Sequence, residues 1–178
     1  MSTMNKIAMI RSGGQTGADR GALDAARSLN FPTCGWCPQG GRADDMPDPP
    51  GLLALYPELI ETPSPDYLQR TAWNVRDAHA TLVVVPSADW YSPGTAYTIE
   101  VAHLYERPCL TVVGVNIDAA ARWLESLAGF ELTLNIAGPR ESFSRDIYHL
   151  SFQLVSALLH QQDRVGTIQE RREMDRSH

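Results

Sequence analysis

Three cysteines are all that the 178 residues contain, too few for a disulfide framework or a closed four-cysteine zinc site. Long apolar runs are missing as well. Nothing approaches the roughly 20 residues that cross a bilayer, so no membrane span is expected. Basic charge is short, with 15 Lys and Arg against 21 Asp and Glu and a formal charge of -6. A nonspecific nucleic-acid binder would carry a basic face, and that class is set aside. An anionic small ligand stays open, because local amides and a few arginines can outweigh net charge at a site. The first residues show no signal-peptide core or cleavage site, and the expected compartment is a reducing cytoplasm. The dinucleotide pattern G-x-G-x-x-G and the GK[ST] of a P-loop are both absent, which argues against a standard nicotinamide site and against an NTPase.

What the chain does contain is an alternation of strand and helix patterns. Lys6–Arg11, Thr33–Cys37, Thr81–Val85, Cys109–Val113 and Leu132–Ile136 read as strands, and their continuous apolar runs suit a parallel sheet covered on both faces. Helical spacing follows each of them. Thr16-x-x-Asp19 resembles a capping box, Ser64-Pro65 and Ser92-Pro93 read as N-caps followed by proline, and Asp118 opens a further helix. The pattern predicts a three-layer open α/β sheet of about five parallel strands in the order 2-1-3-4-5. One ligand-binding domain is expected over residues 1–160, with a polar tail at 161–178. Pro38–Pro63 reads as a long Pro/Gly-rich connection, of a length that is usually functional or mobile.

In that strand order the ends of the first and third strands lie side by side. They carry Ser12-Gly13-Gly14-Gln15-Thr16-Gly17 and the stretch SADWYSPGT, which includes Ser92, Gly94 and Thr95. Both lead into helix N-termini, whose free N–H groups attract an anion. The glycines are therefore read as room for an anionic ligand, with a tight βα turn as the plainer alternative.

The blocks SGGQTGADRGALDAA, GWCPQGGRADD, TPSPDYLQRTAWNVRDAHATLVV, PGTAYTIEVA and NIAGPRES, from about residue 7 to about 150, resemble the molybdenum-cofactor carrier family. That resemblance implies a Rossmann-like fold, a cytoplasmic homodimer or homotetramer, and a role in binding or protecting molybdenum cofactor, a pterin dithiolene with a terminal phosphate. Molybdoenzymes or cofactor-synthesis proteins are then the partners. Carried over by the resemblance, Gly13, Gly14, Gln15, Thr16 and Gly17 form a first anion loop with Asp19 and Arg20 behind it. Gly94 and Thr95 form a second, and Arg140 is the residue of interest after the last strand. Pro93 stands where the family more often has glycine, which removes one N–H donor. The same superfamily includes cytokinin-activating phosphoribohydrolases, so a nucleotide phosphoribohydrolase or a nucleotide-sensing module are the alternatives. Their pattern PGGxGTxxE agrees here at Pro93, Gly94 and Thr98 only. The catalytic glutamate position is Val101, with Glu100 one residue early. No catalytic residue and no protein metal ligand is assigned.

Cys34-Gly35-Trp36-Cys37 has redox spacing but is followed by a loop rather than a helix, which weakens a thioredoxin-like reading. Arg70, Asn74 and Asp77 share one helix face, turned either to solvent or to a cleft or subunit interface. Arg42 in the long connection is a candidate to close over an anion. Trp36, Trp90 and Tyr91 are expected to border the cleft, where an aromatic could stack on a pterin or purine. Ser142 or Ser144 is expected to cap the last helix.

Overall fold

Short runs of β-branched and aliphatic residues alternate with amphipathic helices through the computed structural model, which describes residues 6–176, with side chains described up to Arg164. The strands are β1 Ile7–Arg11, β2 Thr33–Cys37, β3 Leu59–Glu61, β4 Ala80–Val85, β5 Cys109–Val113 and β6 Leu132–Ala137. The helices are α1 Ala18–Ser28, α2 Leu52–Leu55, α3 Tyr67–Arg76, α4 Pro93–Leu104, α5 Ile117–Ser126 and α6 Ile147–Arg176. Every strand pairing is parallel. Helices α1, α5 and α6 cover one face of the sheet around Ile10, Leu82, Leu134 and Leu154. Helices α3 and α4 cover the other, around Val75, Val101 and Ala102. None of the described helices is long and apolar enough to cross a membrane.

The strand count and the order correct the sequence expectation. Among the described residues the sheet has six strands in the order β3-β2-β1-β6-β4-β5, not about five in the order 2-1-3-4-5. The added strand β3 lies inside the stretch read as a long connection and spans three residues, too few to show a period. The order fails because a run's own pattern does not state its neighbours. β6 inserts between β1 and β4, with Ile10 beside Leu134 and Leu82 beside Ile136. Its Leu134, Asn135 and Ile136 are buried, as a strand covered on both faces requires. The equally apolar run of β5 takes the edge, where Thr111 and Val113 are exposed.

Helix starts were partly legible. Ser92 does cap α4, accepting from the Thr95 N–H at 3.2 Å, with Pro93 at the first helical position. Asp66 rather than Ser64 caps α3, and Asn116 caps α5 ahead of Asp118. The Thr16–Asp19 capping box does not form: the N-cap of α1 is Gly17, and the Thr16 hydroxyl is buried without a partner. At α6 the Glu141 carboxylate, not Ser142 or Ser144, accepts from the Asp146 and Tyr148 N–H groups. The boundary expected after residue 160 falls inside α6, where the Gln162 amide bonds both the N–H and the carbonyl of Ile7 at 3.1 and 3.0 Å. Side chains of the tail from residue 165 lie outside the described residues.

Small residues set how closely α1 and α6 approach. Ala18, Ala22, Ala25 and Ala26 are fully buried, and the Ser151 hydroxyl donates to the Ala18 carbonyl at 2.7 Å. A Cβ at Gly21 would run into the Tyr148 carbonyl oxygen, which is backbone and cannot rotate away. Gly21→Ala gains roughly 1 kcal/mol of helix propensity, and the overpacking it forces costs more. A net loss of about 1–2 kcal/mol is expected in urea unfolding.

Candidate functional site

Followed from β6, the sheet is wound in two directions: β6, β1, β2 and β3 are successive neighbours on one side, and β4 and β5 lie on the other. The reversal falls between β6 and β4, and such sheets bind ligands outside the carboxyl ends of the strands at that point. A cavity of about 410 Å³ opens there, a volume suited to one small organic molecule. The loops after β1, β4 and β6 line it, and α3 forms a wall. The two glycine-containing loops thus face one cleft across β6, not as the adjacent strand ends expected.

Of the residues singled out in the sequence, Gly13, Gln15, Asp19, Ser92, Gly94, Thr95 and Arg140 line the cleft. Ser12, Gly14, Thr16, Gly17 and Arg20 are not in its lining. Ser12 is buried and donates to the Ile136 carbonyl at 2.7 Å, tying β1 to β6. Arg20 bonds the Gly14 carbonyl at 3.1 Å and grips Asp45 through two bonds of 2.8 and 2.9 Å. The guanidinium holds the Asp45 carboxyl below the usual carboxylate range.

The glycines serve the protein's own packing. A Cβ on Gly13 would collide with the Arg70 guanidinium, which lies over that residue. Gly14 has φ of +74°, and a Cβ there would press on Leu52 and Leu59, at 3.0 and 3.1 Å, in a small core beside α1. Gly13 also lines the cleft, with the Arg70 guanidinium over it, whereas Gly14 faces the small core.

The missing part of the site is α3. Arg70 lines the cleft and pairs with Asp19 at 2.6 Å, both largely buried, and its Nε is buried without a partner. Asp19 also accepts from the Gln15 N–H at 3.4 Å. Of the stripe Arg70, Asn74, Asp77, the first two turn into the body, while Asp77 is exposed and also pairs with Arg76 at 2.6 Å. Asn74 bonds both the N–H and the carbonyl of Trp36 at 2.8 Å, and Asp77 accepts from the Trp36 indole at 2.7 Å. The i, i+4, i+7 spacing was the signal for this wall. Asp44 and Tyr67 carried none. Asp44 accepts from Arg140 at 2.9 Å and from Gln15 at 3.2 Å, joining two cleft loops. The Tyr67 ring lies under both guanidiniums, 4.9 Å from Arg140 and 5.9 Å from Arg70. Burial raises the phenol of Tyr97, a further lining residue.

Trp36, Trp90 and Tyr91 do not line the cleft; Tyr67, Tyr97 and Phe143 are its aromatics. Arg42 is exposed and outside the lining. Cys34 and Cys37 lie in β2, three apart and so on opposite faces of the strand. Burial raises both thiols, Cys37 to about 11. Among the described residues no group of three or more His, Cys, Asp or Glu side chains is arranged for a metal ion.

A model of the circularly permutated YpsA SLOG family matches residues 10–159, and the chain belongs to that family. The solved structure named "Putative molybdenum carrier protein", from Syntrophus aciditrophicus SB, is 36% identical to this chain. It aligns over 88% of this chain and 97% of its own with a TM-score of 0.75. No curated protein matches. Both findings support the resemblance seen in the sequence blocks, and the permutation agrees with a sheet whose winding begins at its last strand.

Two outcomes follow from this geometry. Iodoacetamide at pH 8 should label Cys37 only on unfolding, because its thiol stays protonated well below about 11. Gly14→Val should destabilise by about 2 kcal/mol or more in urea unfolding, through strain at positive φ and contact with Leu52 and Leu59.

Proposed function

We propose that this SLOG-family protein is a carrier that binds molybdenum cofactor in the cleft, holding its phosphate near Arg70 and Arg140 and its pterin beside Tyr67. The observation that carries this reading is the pair of guanidiniums above one aromatic ring in a cavity of about 410 Å³. Arginine suits a planar, bidentate contact with phosphate, and a tyrosine face suits a flat heterocycle. The first turn of α4, with Gly94 facing open space, adds the Gly94 N–H to the same cleft, since Pro93 has none and the Thr95 N–H is held by Ser92. The relative named as a molybdenum carrier supports the ligand class. On this reading the metal arrives inside its own dithiolene, and the cleft residues bind and orient the organic part. The site residues, the homo-oligomer and the hand-over to molybdoenzymes belong to the same proposal.

A phosphoribohydrolase reading draws little support from the site. Val101, at the glutamate position of that pattern, is buried with Val75 and Ala102, and Glu100 is exposed outside the cleft lining.

Mass spectrometry of small molecules released from freshly purified protein should find the pterin cofactor or its oxidised form. Gly94→Leu tests the location, since a Cβ there meets nothing within 4 Å and a leucine would fill cleft space. It should keep the melting temperature and weaken cofactor binding by about tenfold or more, as steric exclusion of a ligand does. Unchanged affinity in the folded variant, or cleavage of a bound nucleotide at its N-glycosidic bond, would overturn the proposal.

A further inference from the structure

We infer that Asp44 sets the anion affinity of the cleft: its carboxylate occupies Arg140 as an internal stand-in for the ligand's anionic group, and has to yield when that group binds. The inference rests on the proposed anionic ligand but names a residue and an exchange that the reading itself does not contain.

The charge balance of the cleft leads to it. Arg70 and Arg140 are its two lining arginines, and each is already paired with a carboxylate, Asp19 at 2.6 Å and Asp44 at 2.9 Å. Asp66 adds a further acidic group to the lining. With both guanidiniums compensated, the cleft offers an incoming phosphate little net attraction. One carboxylate must give way.

Asp19 is not the one. Its side chain is 6% exposed, and it also holds the Gln15 N–H, so its departure would leave Arg70 buried and unpaired. Asp44 is different in each respect. It belongs to the connection between β2 and β3, its side chain is 29% exposed, and it approaches Arg140 from outside the cleft lining. Water can receive it.

Its partners also resemble a phosphate's. Arg140 Nη1, Gln15 Nε2 and the Ser142 hydroxyl donate to its two oxygens, at 2.9, 3.2 and 3.4 Å. These donors come from the loops after β1 and β6 and converge on one small anion. Arg140 does not depend on Asp44 for its place, because its guanidinium also lies 4.9 Å from the Tyr67 ring centre and 5.4 Å from that of Phe143. The exchange is local, since the neighbouring Asp45 stays fastened to Arg20. If Asp44 occupies Arg140 about nine-tenths of the time, the apparent affinity for an anion falls about tenfold.

The test is calorimetric titration of the full chain with inorganic pyrophosphate, for wild type, Asp44→Asn, Asp45→Asn and Arg140→Gln. Asp44→Asn should bind about tenfold tighter than wild type, Asp45→Asn like wild type, and Arg140→Gln more weakly than either. Equal or weaker binding by a folded Asp44→Asn protein, or no pyrophosphate binding by any form, would overturn the inference. Should Asp44→Asn not fold, hydrogen exchange on wild type decides. The Asp44 amide, now donating to Gln15 Oε1 at 2.9 Å, should exchange faster with pyrophosphate present; unchanged or slower exchange counts against the role. Cofactor binding by wild type is measured in parallel. Cofactor binding without an Asp44 effect would leave the carrier reading and remove this inference, and the converse would do the reverse.

Discussion

The ion pair between Asp19 and Arg70 is the contact on which the rest of the site depends. It joins the first turn of α1, the Gln15 N–H of the glycine loop and the wall helix α3 at one point. Gly13 is bare because the Arg70 guanidinium lies on it, so the shape of the loop and the position of α3 are one solution and not two. A pair this buried is a weak source of net stability, since desolvating both charges offsets most of their attraction. Its value is geometric: neither group tolerates being left alone, so α3 has one place to dock. Asn74 then repeats the constraint one turn later by satisfying both backbone groups of Trp36.

Chain order and spatial order part company at β6. It is the last strand of the sheet to be made and sits near the middle, pairing with β1 and β4. The sheet is incomplete until residues more than a hundred positions apart have met, a costly closure for a chain of this length. The return is a cleft with walls from three loops, one of which, after β6, delivers Arg140 opposite α4.

The glycine loop lies beside the cleft, and its glycines pack against the protein's own side chains. Its glycines lie at the end of a strand where a cleft opens, as expected of a doubly wound sheet. Yet Gly14 faces Leu52 and Leu59, and Gly13 faces Arg70. Close approach was the right inference from the residue type; what approaches is the protein itself. The arginines that line the cleft come from α3 and from the loop after β6.

Local features were legible in the sequence wherever the deciding contact is local. The Ser92-Pro93 cap formed as read because its partner, the Thr95 N–H, is three residues away. The apolar runs became strands, and the α3 stripe was visible in its spacing. The Thr16–Asp19 box failed because α1 starts one residue later, with Gly17 as N-cap, and the Asp19 carboxylate turns to the Gln15 N–H and to Arg70, 51 residues on. β3 was hidden by its three-residue length, and the order of strands by the fact that β5 and β6 carry similar apolar runs while only one lies between neighbours. Residue type and spacing determined the elements, their caps and the kind of loop at the cleft. Which strand is central, which carboxylate meets which guanidinium, and that Asp44 reaches Arg140 from 96 residues away were decided only by the tertiary structure. Those contacts form between segments whose separation leaves no trace in any local pattern.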